Sequence, residues 1–143
     1  GDLPTVYRAI VDSPEAWAPQ PVKFKTPWEW TLSAFRMAGV QKVDGQMVAN
    51  VLNQLGQPAW RPGSPAGWDD KAASWAGPDA LVRRVEVAEK IAAEAGAGTD
   101  ARALATRLFG QSLSGSTAQA IARAESPQQG LALLLVSPEF LRR

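Results

Sequence analysis

Two residue types are missing altogether: the 143-residue chain contains no cysteine and no histidine. That excludes disulfides, thiol chemistry, Cys/His zinc sites and any Ser-His or Cys-His pair. A cysteine-free chain suits the cytosol and the periplasm alike, so the redox compartment stays open. A surplus of one charge is missing too. Lys and Arg total 15 and Asp and Glu total 14, for a net charge of +1. No strong electrostatic field follows, and nucleic acid is not expected as a partner. No apolar run approaches the roughly 18 residues that a membrane span needs, so none is expected. No signal peptide opens the chain. The start Gly1-Asp2-Leu3 carries no Met and reads as processed or excised from something longer. Finally, no alternating apolar and polar run reaches strand length.

What remains is helix chemistry. The length suits one helical domain over 1–143 with a single core. The stretch Lys23 to Gly39 is expected to be its centre. Thr26 can cap a helix, Pro27 fits the first helical position, and Glu29 falls where a capping box needs it. Gly39 can end the helix in the left-handed conformation. At about 100° per residue, Glu29, Ser33 and Arg36 form one narrow polar stripe. Trp28, Trp30, Leu32, Ala34, Phe35, Met37 and Ala38 occupy the rest of the circumference. A helix apolar over so much of its surface should be buried on several sides.

The other helices follow from the same signals. Leu3, Val6, Tyr7, Ile10 and Val11 predict a first helix, and Ser13-Pro14-Glu15 a fresh start that sets Trp17 against the core. Asp44 caps a helix with Met47, Val48, Val51, Leu52 and Leu55 inward, closed by Gly56. The longest helix runs from Pro78 to about Ala95, with Leu81, Val85, Ala88 and Ala92 inward, Val82 and Ile91 flanking, and Gly96-Ala97-Gly98 as its stop. Thr99 or Asp100 caps the next, and a short helix follows over Thr117 to Ala124. Ser126-Pro127 begins another that contains Leu131 to Val136, and Ser137-Pro138-Glu139 repeats the start. The fold class is all-α, an irregular bundle of about seven to eight helices.

Gln57 to Gly77 breaks the pattern, with Pro or Gly at 58, 62, 63, 65 and 67 and no period. A loop of about 20 residues inside a compact domain is usually functional or disordered. Trp60, Trp68 and Trp75 argue for order, since large aromatics are scarce in disordered segments. An ordered loop pinned by its indoles is expected, with a helical turn near Asp70 to Trp75.

At KFKTPWEWTLSAFRMAG, LGQPAWRPGSPAGW and LALLLVSPEFLRR the chain resembles the C-terminal part of a bacterial family catalogued as domain of unknown function 1800. The matching positions are Lys25, Pro27, Arg36 and Gly39; then Leu55, Gly56, Gln57, Pro58, Gly67 and Trp68; then Arg83; then Ser137, Pro138, Glu139 and Phe140. The resemblance covers nearly the whole chain in order. It implies an exported protein several times this length, often encoded beside a second exported protein. A periplasmic or extracellular setting follows, with the N-terminal remainder of the parent and that second protein as expected partners. The resemblance brings no activity and no catalytic residues.

Candidate binding residues are those of the tryptophan loop: Trp60, Arg61, Trp68, Asp69, Asp70 and Trp75. Aromatic faces beside carboxylates and a guanidinium suit a glycan or peptide; folded inward, the same rings would be loop anchors. Adjacent Asp69 and Asp70 are a weak signal for Ca²⁺ or Mg²⁺, and neither a metal nor another cofactor is expected. Glu29, Ser33 and Arg36, with Arg83 as supplier of a partner, are expected to form a structural polar network, because buried unpaired charge is costly. No recognisable catalytic constellation stands in the chain, and whether it is an enzyme stays open. The function expected is that of a non-catalytic helical structural or interaction domain. Two alternatives stand beside it. One is that Arg36, Arg83, Asp69 or Asp70 completes an active site in the full-length protein. The other is a carbohydrate- or peptide-binding module.

Overall fold

The computed structural model describes residues 1–19, 21–95 and 98–143. Among them are eight α-helices: α1 (Leu3–Val11), α2 (Pro27–Met37), α3 (Gly45–Gln54), α4 (Ala72–Trp75), α5 (Pro78–Ala95), α6 (Ala101–Phe109), α7 (Gly115–Ala122) and α8 (Pro127–Leu135). Short 3₁₀ turns occupy Pro14–Trp17 and Gly110–Ser112. The all-α expectation holds. Helix starts follow cap chemistry. Thr26 Oγ1 accepts from the Glu29 amide, and the Glu29 carboxylate accepts from the Thr26 amide, closing the capping box. Asp44, Asp100, Ser114 and Ser126 accept from the first-turn amides of α3, α6, α7 and α8. Gly39 and Gly56 reverse the chain after α2 and α3 at φ 66° and 85°, a region a side chain would disfavour. Of the expected stop after α5, Gly96 and Ala97 lie outside the described residues.

The helix at the centre is α8, not α2. Gly130, Leu131, Ala132, Leu134 and Leu135 are all buried, and α8 packs against α5, α6 and α7. A short helix this apolar is sheltered only by having neighbours on most sides. Gly130 allows a close approach. A Cβ built there would stand 3.4 Å from the Ala101 Cβ and 3.6 Å from the Ala124 Cβ. The α2 helix lies beside this centre, packed on α3 and α5. It buries Pro27, Trp30, Thr31, Ala34 and Phe35, while Trp28 and Leu32 face solvent. Its all-round apolar character therefore serves a surface as well as a core. The Trp30 indole N–H reaches across to donate to the Leu135 carbonyl at 2.9 Å.

Three further expectations are corrected. First, α5 buries Arg84, Val87, Ala88, Ile91 and Ala92, whereas Val82 and Val85 are exposed. The phase is set by Arg84, a residue that a search for apolar spacing passes over. Second, Ser137-Pro138-Glu139 starts a single turn instead of a helix, with Ser137 Oγ accepting from the Phe140 amide. The chain then extends and pairs antiparallel with residues 23–25. Lys25 N donates to Leu141 O at 2.8 Å, Lys23 N to Arg143 O at 3.1 Å and Arg143 N to Lys23 O at 2.8 Å. Third, α1 buries no residue, and Trp17 is 71% exposed. The apolar face of α1 exists as expected, yet no other part of the described chain covers it.

Replacing Trp30 by Phe removes the N–H that satisfies the buried Leu135 carbonyl. The variant should lose about 1–3 kcal/mol from that orphaned acceptor, with a further penalty for the space left by the smaller ring. Chemical denaturation followed by circular dichroism measures it. A loss below about 0.5 kcal/mol would show that the bond carries no weight.

Candidate binding site

The three loop tryptophans take three different positions. Trp75, at the end of α4, is 7% exposed, and its indole N–H donates to the Asp69 carbonyl at 2.7 Å. Trp68 is half-buried and leans on Trp75, with ring centroids 6.2 Å apart at 58°. Trp60 is 97% exposed and has φ 59°, the left-handed region that a bulky residue rarely enters. The inward reading thus holds for Trp75, partly for Trp68 and not at all for Trp60. The loop is tied down by polar bonds as well. Gln57 Oε1 accepts from the Trp28 amide at 2.8 Å, serving one of the free donors at the start of α2. Arg61 Nη2 donates to Asn53 Oδ1 at 3.3 Å. Between α2, α3 and the loop lies a cleft of about 370 Å³, lined by Trp28, Leu52, Pro58, Trp60, Pro62 and Trp68 among others.

Asp69 and Asp70 do not act as a pair. Ser74 Oγ donates to Asp69 Oδ2 at 2.9 Å, while Asp70 forms an ion pair with Lys23. Among the described residues, no group of three or more Asp or Glu side chains is placed to hold a metal ion. Arg36 and Arg83 are both exposed, and neither they nor the two aspartates line the cleft beside Trp60. The structure does not bring Arg36, Arg83, Asp69 and Asp70 into one cleft. Nor does it form the polar network as expected. Ser33 Oγ donates to the Glu29 carbonyl within its own helix at 2.8 Å. Glu29 instead meets Arg143, whose Nη2 lies 2.6 Å from Oε1. Burial raises the Glu29 pKa, but hydrogen bonds from Thr26 and Arg143 outweigh it and hold the carboxyl below its ordinary value.

The buried cation is Arg84, one position from the expected Arg83 and therefore about 100° further round the helix. It is 1% exposed. Its guanidinium carbon lies 4.7 Å from the Phe24 ring centroid and 5.7 Å from that of Trp30. Nη2 donates to the Lys25 carbonyl at 2.8 Å. Burial pulls its pKa down to about 10, so it stays charged at neutral pH. The Lys25 ammonium sits 4.1 Å above the Phe140 ring. One signal for Arg84 stood in the sequence: it continues the spacing Val87, Ala88, Ile91 and Ala92 backwards by one turn.

Desolvation lowers the Lys25 pKa from 10.5 to about 8, with Glu29 pulling the other way. Below about 8 the folded and unfolded chains both hold the proton, and the cost of burying the charge is present in full. Between about 8 and 10.5 the unfolded chain binds more protons, so folding stability rises with pH through that window. Lys25→Met should remove this rise relative to the parent chain and add stability near neutral pH. Denaturation midpoints measured across the window check it. Identical pH profiles for the two proteins would refute the assignment.

No helix among the described residues is long and apolar enough to cross a membrane. Neither a curated protein nor a solved structure matches the chain significantly. The model of a family described as "Protein of unknown function (DUF1800)" matches residues 1–142, nearly the entire length, and the chain therefore belongs to that family.

Proposed function

We infer that this chain is a non-catalytic helical interaction domain of an exported bacterial protein, working in the periplasm or outside the cell. The observation that supports this most directly is α1. It carries Leu3, Val6, Tyr7, Ile10 and Val11 along one face, and each of these side chains is at least half exposed. A nine-residue helix is marginal in water without tertiary support. An amphipathic face of this kind gains its stability by covering apolar surface elsewhere. The occupant we assign to it is the remainder of the longer parent chain that the family resemblance implies. Two substitutions test the reading. Val6→Asp with Ile10→Asp should leave the melting temperature of this chain within about 2 °C of the parent, since nothing buried is lost. The same pair should abolish co-elution with the separately produced N-terminal remainder. A large drop in melting temperature would place the α1 face inside the domain's own fold. Unchanged co-elution would remove the contact assigned to it.

A second reading is supported by Trp60. A solvated indole in a left-handed backbone conformation costs roughly 1–3 kcal/mol and persists where the surroundings enforce it, often at a contact site. Beside Trp28 and Trp68 it offers flat apolar faces to a sugar ring or an extended peptide. Trp60→Gly should raise stability by up to about 1 kcal/mol by relieving the backbone. If the loop is a binding site, the same change removes retention on a glycan or peptide array. Retention that survives the substitution discards the loop as the contact.

A further inference from the structure

A second cleft, of about 580 Å³, lies between the segment at residues 22–24, α4, α5 and the C-terminal turn. Its walls are apolar, with Phe24, Leu81, Val85, Val136 and Leu141 among them. Arg84 and Arg142 are among its lining residues, and no acidic residue of the described chain is. Arg142 is exposed, with Nη1 donating to the Pro138 carbonyl at 3.1 Å. Arg84 is the unusual member. A buried arginine ordinarily meets a carboxylate, because the fork of donors is costly to leave dry. The ion pairs formed among the described residues are Lys23 with Asp70 and Arg143 with Glu29. Arg84 has neither partner. Its Nη2 is served by the Lys25 carbonyl, whereas Nη1 is buried without any hydrogen-bond partner.

We propose that this cleft binds a small carboxylate carried on an apolar stem, with Arg84 Nη1 donating to the carboxylate and the stem lying against Val85, Val136 and Leu141. A carboxylate fits better than a phosphate. One orphan donor and one exposed guanidinium can compensate a single negative charge. A doubly charged phosphate would lose far more hydration against these walls than two cations return. Arg142 adds attraction at the solvent side and is the lesser contributor, because water screens it. The site is separate from the α1 face and from the cleft beside Trp60, so it stands or falls independently of both.

Calorimetric titration of the intact chain with octanoate, octanol and inorganic phosphate tests the proposal at neutral pH. Octanoate should bind as one molecule per chain, octanol at least about tenfold more weakly, and phosphate not at all. The charged hydrogen bond is what separates the first two. Arg84→Met, which keeps an apolar stem in place, should lower octanoate affinity by about ten- to hundredfold, with folding monitored by circular dichroism. Ala72→Trp provides the second variant. Ala72 is exposed and lines the cleft, so a large ring there should block octanoate while leaving Arg84 and the melting temperature unchanged. Three results would overturn the proposal. One is octanol binding as tightly as octanoate, and another is octanoate affinity that survives either substitution. The third is no octanoate binding at millimolar concentration, which would mean that Nη1 is served by a resident water only.

Discussion

The bond from the Trp30 indole to the Leu135 carbonyl is the constraint on which the arrangement of helices rests. The last carbonyls of a helix have no partner within it. In α8 those carbonyls lie inside the protein, because Leu134 and Leu135 are fully buried. The Ser137 amide serves the Leu134 carbonyl, but the Leu135 carbonyl is satisfied from α2, by a residue 105 positions earlier. Once Trp30 is held there, α2 is fixed beside α5, and its ring becomes a platform for the Arg84 guanidinium. Arg84 in turn holds the Lys25 carbonyl, and Lys25 pairs with Leu141. Three distant stretches of chain are joined through one indole and one guanidinium. Neither group could be exchanged for an aliphatic one without leaving a polar atom stranded.

Much of this was legible in the sequence, and the legible part is local. Thr26 with Glu29, Asp44, Asp100 and Ser126 marked helix starts, because each oxygen satisfies an amide within its own first turn. Gly39 and Gly56 marked stops for an equally local reason. The helical turn before Trp75 was also readable. What could not be read is what each apolar face meets. Both α1 and α2 carry apolar faces at helical spacing, yet one stays in water and the other is partly core. The difference lies in which neighbours arrive, and periodicity carries no record of them.

The candidate site shows the same division. The tryptophan loop was identifiable by composition, but its three indoles divide between core, half-buried edge and solvent according to the turns between them. Trp75 sits on a helical turn that points it inward, whereas Trp60 follows Pro58 into a left-handed residue that turns it out. The charge of Arg84 points to a solvated face, and that signal masks the helical spacing that places it inward. Aromatic rings on two other elements make its burial tolerable, and they are brought together only by the tertiary fold. The terminal pairing of residues 23–25 with 141–143 was equally hidden, since three residues are too few to show alternation.

The distance between Trp30 and Leu135 also bears on how the protein is made. Polypeptides leave the ribosome at about 5–20 residues per second. With 105 positions between the two partners, α2 waits on the order of 5–20 s for the helix that shelters it. Through that interval α2 can meet α3 and α5, but Trp30 lacks the α8 carbonyl that it finally binds. The contact that joins α2 to α8 is therefore among the last that the emerging chain can close.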